Sequence, residues 1–318
     1  MAKFVGRRLL YLLPVLLAVT LLTFLIASLL PGDLAYTILG DQATPDKVEA
    51  LRAQMGLDRP IWERYLLWLG HAVQGDLGRS FRTGETVLAA VVDRLPVSLE
   101  LMVLAEVLGL VIAIPLAILC AVRSGSATDR FLTGLAFGKL SVPPFMVAIL
   151  LIYLFAVGLN VLPVTGWIPF AEDPVANLRS FVLPALTLAI AEWPVLMRVL
   201  RSDMIATLQE DFILMAKAKG ITNRRILWRH ALRPSSLTLM TVAGLNVGAL
   251  IGGTVVIEVI FGLPGMGTLL YTAIAERQFV MLQSLVVVIA IAYVLVNVII
   301  DILYSILDPR LRHARVIT

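Results

Sequence analysis

The sequence predicts an all-α membrane protein, and three observations carry that expectation. Of 318 residues, 59% are apolar and 15% are charged, whereas soluble domains carry about 25% charged residues; the mean hydropathy is +0.91. The apolar residues gather into six runs, at roughly 9–30, 99–122, 137–159, 181–200, 237–260 and 284–307, each near the length that crosses hydrocarbon as a helix. Lys and Arg concentrate in alternate connecting segments. A soluble enzyme of this length could not hide so much apolar surface, so lipid is the expected solvent. One cysteine, Cys120, excludes a disulfide framework and a Cys-based metal centre, and His71, His230 and His313 lie too far apart in the chain for a ligand cluster.

The first run is free of charge from Leu9 to Leu30 and favours insertion by several kcal/mol on the biological scale. Lys3, Arg7 and Arg8 before it also suit a cleaved leader, but 22 apolar residues exceed the usual leader core, and no small-x-small cleavage pattern follows. An uncleaved span is expected. The second run holds Glu106, whose cost its aliphatic residues outweigh. Sixteen basic residues fall in the N-terminus, the 123–134 loop, the 198–235 segment and the tail, whereas the 160–180 and 261–283 loops hold only Arg179 and Arg277. Both termini should therefore be cytoplasmic. The expected division is 1–30 as N-terminus and first span, 31–98 as an outer helical loop, and 99–318 as a five-helix core containing a cytoplasmic loop at 201–236.

The outer loop reads as a small helical cap. Thr44-Pro45-Asp46 is an N-cap signature, and Gly56 should close that helix. Asp58-Arg59-Pro60 opens another, with Trp62, Tyr65, Leu66, Leu69 and Val73 at helical spacing and Gly75 as its stop. That face suits either the membrane interface or packing against the spans.

The inner segment carries more information. Arg201 to Lys219 lacks proline and glycine and should be one helix, with Phe212, Met215, Ala216 and Lys219 on a shared face. Gly220 should end it in the left-handed conformation. Thr222 should cap a second helix over 223–232 with Arg224, Arg225 and Arg229 exposed, and Pro234 should precede the fifth span. The segment carries eight basic and three acidic residues. A basic surface on anionic lipid is one reading; a helix hairpin that docks another protein is the other.

Ionisable residues within spans mark candidate function. Glu106 and Glu192 lie deepest, and either face a water-filled pathway or bond helix to helix. Asn246 joins them as a pathway candidate, as does Glu258. Glu258 and Asp301, near span ends, are expected to be hydrated, and Lys139 can snorkel. Gly244, Gly248 and Gly252 recur every four residues in the fifth span, a close-packing stripe that suits either the chain itself or a second subunit. Phe261 to Gly267 reads as a rigid turn.

No G-x-x-x-x-G-K-[ST] phosphate loop, G-x-S-x-G elbow or H-E-x-x-H motif occurs. This chain should not hydrolyse ATP and has no visible enzyme constellation. A stand-alone channel or proton-coupled carrier is the rival reading.

Ala216-Lys217-Ala218-Lys219-Gly220 followed by Arg229-His230-Ala231-Leu232-Arg233 resembles the cytoplasmic loop of importer-type ABC permeases. Gly56 to Pro60, Gly75 to Ser80, Phe261 to Gly267 and Leu307 to Arg310 extend the resemblance to the peptide/nickel permease family over most of the chain. Leu214-Met215 stand where the general loop motif has Glu-Ala, and Pro234 falls one residue late. The resemblance implies a permease that, with a second homologous permease, forms the membrane pathway for short peptides; nickel chelates or glutathione are alternative cargoes. It implies two separate ABC ATPase subunits that bind ATP and Mg, an extracytoplasmic peptide-binding protein, lipid surroundings in the cell membrane, and no nucleic acid. It places coupling to the ATPases on Asp211, Phe212, Met215, Ala216, Lys217, Ala218, Gly220, Arg224 and Arg225, and leaves this chain without a catalytic residue, metal or cofactor of its own.

Overall fold

The computed structural model describes residues 2–29, 36, 39, 43–54 and 58–307. Gly56 and the tail beyond Leu307, with its three arginines, lie outside the described residues. The chain divides into two compact units, one of Met1–Val97 with Pro264–Leu295 and one of Ser98–Leu263 with Val296–Thr318. Among the described residues there are helices and one isolated bridge, Arg79 to Thr86.

In the first unit α1 (Ala2–Leu29) is continuous through Pro14. The outer segment forms α2 (Pro45–Gln54) and α3 (Ile61–Val73), at the two predicted starts. The apolar face of α3 splits in two. Tyr65 turns to α1, its hydroxyl 2.9 Å from Thr20 Oγ1 and its ring edge-on to Phe24 at 5.5 Å. Trp62, Leu66 and Val73 stay exposed. Gly75 follows with φ +87°, a conformation that costs a residue with a Cβ. Val87, Ala90, Val91, Met266, Ala273, Met281 and Leu285 form this unit's core. They come from the start of α4 (Val87–Val122), from α10 (Met266–Ala275) and from the start of α11 (Phe279–Leu307). Two polar ties brace that core. Ser80 Oγ donates to Gln278 Oε1 at 2.6 Å, and Ser284 Oγ donates to the Leu77 carbonyl at 2.6 Å.

The second unit is built around α7 (Pro174–Leu208). Its apolar window is 67% buried, against 28% for α4, so α7 is the hub of the unit. Asp173 caps it, Oδ1 accepting from the Val175 and Ala176 amides at 3.0 Å. The helix continues through Pro184 and Pro194, each of which withdraws one backbone donor. Packed on α7 are α5 (Ala127–Leu140), α6 (Pro144–Gly158) and α9 (Asn223–Phe261). The core gathers Ala113, Ala117, Met197, Leu200, Met204, Ile226 and Leu239.

Four expectations are corrected. The third apolar run is not a straight span: α5 and α6 meet at 103° across residues 141–143. Pro143 has ψ 145°, the extended geometry favoured for a residue that itself precedes a proline. The second run's helix starts at Val87, well before the run itself, so residues 87–98 are helical and not loop. Arg201 to Lys219 is two helices, α7 and α8 (Asp211–Ala218), separated by Gln209 and Glu210. Neither residue is a breaker; the turn lets Ile213 and Ala216 reach the core at 0% and 6% exposure, and such burial outweighs the propensity of two residues. The helix after Thr222 is not separate from the fifth span: α9 runs unbroken from Asn223 to Phe261. Widened turns over Ile226–Ala231 accommodate Pro234, which cannot donate to the preceding turn.

Among the described residues four helices are long and apolar enough to cross a membrane, and the bent pair α5–α6 makes a fifth. Pro14–Ile26 of α1 is a shorter apolar piece.

Candidate functional site

The best-defined candidate is the α8–Gly220–α9 segment. Ile213 and Ala216, three apart, seat α8 on the core. The predicted shared face is therefore divided: Ala216 points in, while Phe212, Leu214 and Met215 are 46%, 56% and 59% exposed. Asp211, Lys217, Ala218, Lys219 and Gly220 are exposed as well. The end of α8 is a full Schellman closure. The Gly220 amide donates to Lys217 O at 2.9 Å and the Ile221 amide to Ala216 O at 3.1 Å, with Gly220 at φ +71°. With the Lys219 amide donating to Met215 O at 3.0 Å, three of the end carbonyls are satisfied, so α8 is a finished short element and not a frayed loop. Beyond it Thr222, Arg224, Arg225, Trp228 and Arg229 line an open groove without an acidic residue. The Thr222 side chain makes no cap bond, a departure from expectation.

Behind this surface lies a contact absent from the sequence reading. Asp129 on α5 and Arg201 on α7 form a fork of two hydrogen bonds, Arg201 Nε to Oδ1 and Nη2 to Oδ2, each 2.6 Å. The carboxylate is 4% exposed. Nothing local in either sequence segment marks the pair, since 72 residues separate them.

Deeper on α7, Glu192 meets Glu106 of α4. Their carboxyl groups neighbour each other. Both oxygens of Glu106 and Oε2 of Glu192 are buried and have no hydrogen-bond partner in the chain. Gly109 of α4 faces the same place: a Cβ on it would make ordinary contacts, 3.6 Å from Leu196 Cδ1 and 3.8 Å from Glu192 Oε2. The Asn246 Nδ2 is also buried without an acceptor. Glu258 corrects an expectation. It is 0% exposed and accepts from Ser98 Oγ at 2.6 Å, so it is not hydrated. The glycine stripe divides too. A Cβ on Gly244 would lie 2.5 Å from Ile300 Cγ2, which makes Gly244 a close contact within the chain. Gly248 is buried. Gly252 and Gly253 face open space, with nothing within 4 Å of an added Cβ. Among the described residues no cluster of His, Cys, Asp and Glu could hold a metal ion.

The sequence matches the family described as binding-protein-dependent transport system inner membrane component over residues 113–313, and the N-terminal family of the same membrane component over residues 1–102. The chain belongs to this family. It is therefore a multi-pass inner-membrane component of a transport system. A Brucella abortus (strain 2308) protein named as a peptide transport system permease is 40% identical over 313 residues, covering 98% of this chain and all of that protein. The dipeptide transport system permease protein DppB of Escherichia coli (strain K12) is 34% identical over 339 aligned residues, covering 99% of this chain and all of DppB. A solved structure of the MetNI methionine ABC transporter in inward-facing conformations aligns at TM-score 0.56 and 16% identity. It covers 69% of this chain and 96% of the solved chain, and it shares the fold. For a binding-protein-dependent inner-membrane component, a short finished helix with an uncovered apolar face is the feature that calls for a protein partner.

Proposed function

We propose that the chain is a permease subunit of an ATP-driven importer of short peptides, coupled to its motor through α8. In this reading six helices cross the membrane, α1 among them, with both termini in the cytoplasm. A second homologous permease completes the pathway, an extracytoplasmic binding protein delivers peptide to the outer segment, and two ABC ATPase subunits bind ATP and Mg. The observation that carries the reading is α8 itself. Ile213 and Ala216 fix it to the core, Gly220 closes it, and Phe212, Leu214 and Met215 are left for a partner. The relatives named for peptide and dipeptide transport support the substrate class.

Mechanically, the ATPases would close around ATP and carry the two α8 elements as rigid bodies, converting the permease pair between two packings. Asp211, Lys217, Ala218, Arg224 and Arg225 would complete the docking surface around the apolar face. Glu106, Glu192 and Asn246 would stand along the pathway, Glu258 would brace α9 against Ser98, and Gly252 would front the second permease. Purification in mild detergent should recover two ATPases and a second permease with the chain, and vesicles holding the full complex should take up peptide only with ATP and loaded binding protein. Peptide flux through this chain alone would refute the proposal.

A further inference from the structure

The Asp129–Arg201 contact is built more heavily than an incidental ion pair. Besides the two bonds from Arg201, the Gly125 amide donates to Asp129 Oδ2 at 2.9 Å and Thr133 Oγ1 to Oδ1 at 3.4 Å. Ser126 Oγ caps the same turn by accepting from the Asp129 amide at 3.3 Å. Four donors thus converge on the carboxylate. A bidentate guanidinium–carboxylate fork constrains orientation as well as distance. A second contact joins the same two helices: the Arg198 guanidinium stands 4.4 Å from the Phe137 ring centre, within cation–π range. Two fixed points on each helix define a crossing angle, and one would leave a pivot.

The positions of these helices in the chain give the crossing its meaning. α7 ends at Leu208, and only Gln209 and Glu210 separate it from α8. α5 ends at Leu140, and residues 141–143 turn it by 103° into α6. The fork thus ties the helix that leads into the exposed α8 to the limb that leads into the apolar α6.

We infer that the Asp129–Arg201 fork is the joint through which displacement of α8 is carried from α7 into α5 and α6, with Asp129 and Arg201 acting as positioning residues. The inference rests on the reading of α8 as the ATPase-docking element. The fork loses both its bonds if α5 rotates or slips against α7, so it adds an orientation that packing alone does not impose. The α5–α6 limb therefore follows α7 as one body, and the bend at 141–143 passes the movement to α6. Lysine at position 201 keeps the charge but supplies a point donor in place of a planar fork, so it holds the helices together without fixing their angle.

The test uses the complete complex in lipid vesicles, with spin labels in turn at exposed Met215 on α8 and exposed Leu150 on α6. In the wild type both labels should shift when the ATPases bind ATP. In Arg201→Lys and Asp129→Asn the complex should form in normal yield with basal ATP hydrolysis within twofold of wild type. The α8 label should still shift, the α6 label should not, and peptide uptake per ATP should fall about tenfold. An α6 shift of wild-type size in either variant overturns the proposal. So does failure of both variants to assemble, since the fork would then be a folding element alone. A wild-type complex that purifies without ATPases instead sinks the docking reading, an outcome separate from either.

Discussion

Two acidic sites meet α7 in opposite ways. Towards its C-terminal end Asp129 is buried and answered by Arg201 in a two-bond fork. Further back along the same helix, Glu106 and Glu192 present carboxyl groups to each other, with buried oxygens that no other group satisfies. A buried charge without a partner is costly; the first site meets that cost with the fork, and the second has no such partner within the chain. The fork fixes a helix crossing. The glutamate pair leaves free hydrogen-bonding capacity in the interior, where a permeating ligand or a rearranged packing could use it. This difference, more than the count of intramembrane carboxylates, separates structure from candidate function in this chain.

The largest effect should come from removing the Arg201 side of the matched site, because Asp129 is the more deeply buried partner. Arg201→Ala leaves the Asp129 carboxylate buried and uncompensated, a loss of about 3–5 kcal/mol, enough to abolish most assembled complex. Asp129→Ala with Arg201→Ala should recover part of that loss, because no stranded charge remains. Yields by size-exclusion chromatography and thermal unfolding of the complex measure both. If the double variant is no better than Arg201→Ala, the contact is worth only its packing and the contrast with the glutamate pair dissolves.

A second contrast of filled and open positions lies along α9. Gly244→Leu drives a side chain into Ile300, which stands 2.5 Å from an ideal Cβ; overpacking of this kind costs about 1–3 kcal/mol. Gly252→Leu meets nothing within 4 Å in this chain and should leave its unfolding temperature unchanged. If Gly252 fronts the second permease, the same substitution lowers the yield of the permease pair. An unfolding loss in Gly252→Leu equal to that of Gly244→Leu would show that the stripe is one internal face after all.

Gly220 differs from both, because no crowding surrounds it. A Cβ there meets nothing within 4 Å, yet φ is +71°, so the cost of Gly220→Val is conformational alone, about 1–3 kcal/mol of local strain. Assembly should survive while stimulation of ATP hydrolysis by loaded binding protein falls severalfold. Gly220→Asn, tolerant of the left-handed region, should retain most of it. Equal stimulation in wild type and Gly220→Val would mean that the closure of α8 is not part of coupling.

What the sequence made legible follows from the range of each signal. Composition, apolar runs and local breakers are short-range, and they placed the apolar segments, the starts of α2 and α3, the left-handed Gly220 and the turn after Phe261. Contacts between distant segments leave no local trace, and that is where expectation failed. Asp129 sits in an ordinary capped turn, and its partner was one of eight arginines and lysines in a basic segment. The break at Gln209–Glu210 involves two good helix formers and is imposed by burial of Ile213 and Ala216. Glu258 looked wet because it lies near a helix end, and Ser98, which buries it, is 160 residues away. The bend at 141–143 is the one miss with a visible cue, since Pro143-Pro144 stood inside an apolar run, near its start.

The smallest expected effect has the opposite sign from the first. Glu192→Gln replaces one of two facing carboxyl groups with an amide, whose NH2 can donate to Glu106 and satisfy an oxygen that now lacks a partner. A satisfied buried hydrogen bond contributes about 1 kcal/mol, so the variant should unfold a few degrees higher than wild type. If the pair is part of the pathway, peptide uptake should fall although the protein is more stable, the pattern expected where a site is held unsatisfied for function. Uptake and unfolding temperature both unchanged would mean that the two carboxyl groups already satisfy each other. The contrast with the Asp129 fork would then be one of degree, and the candidate pathway would have to be sought at Asn246 instead.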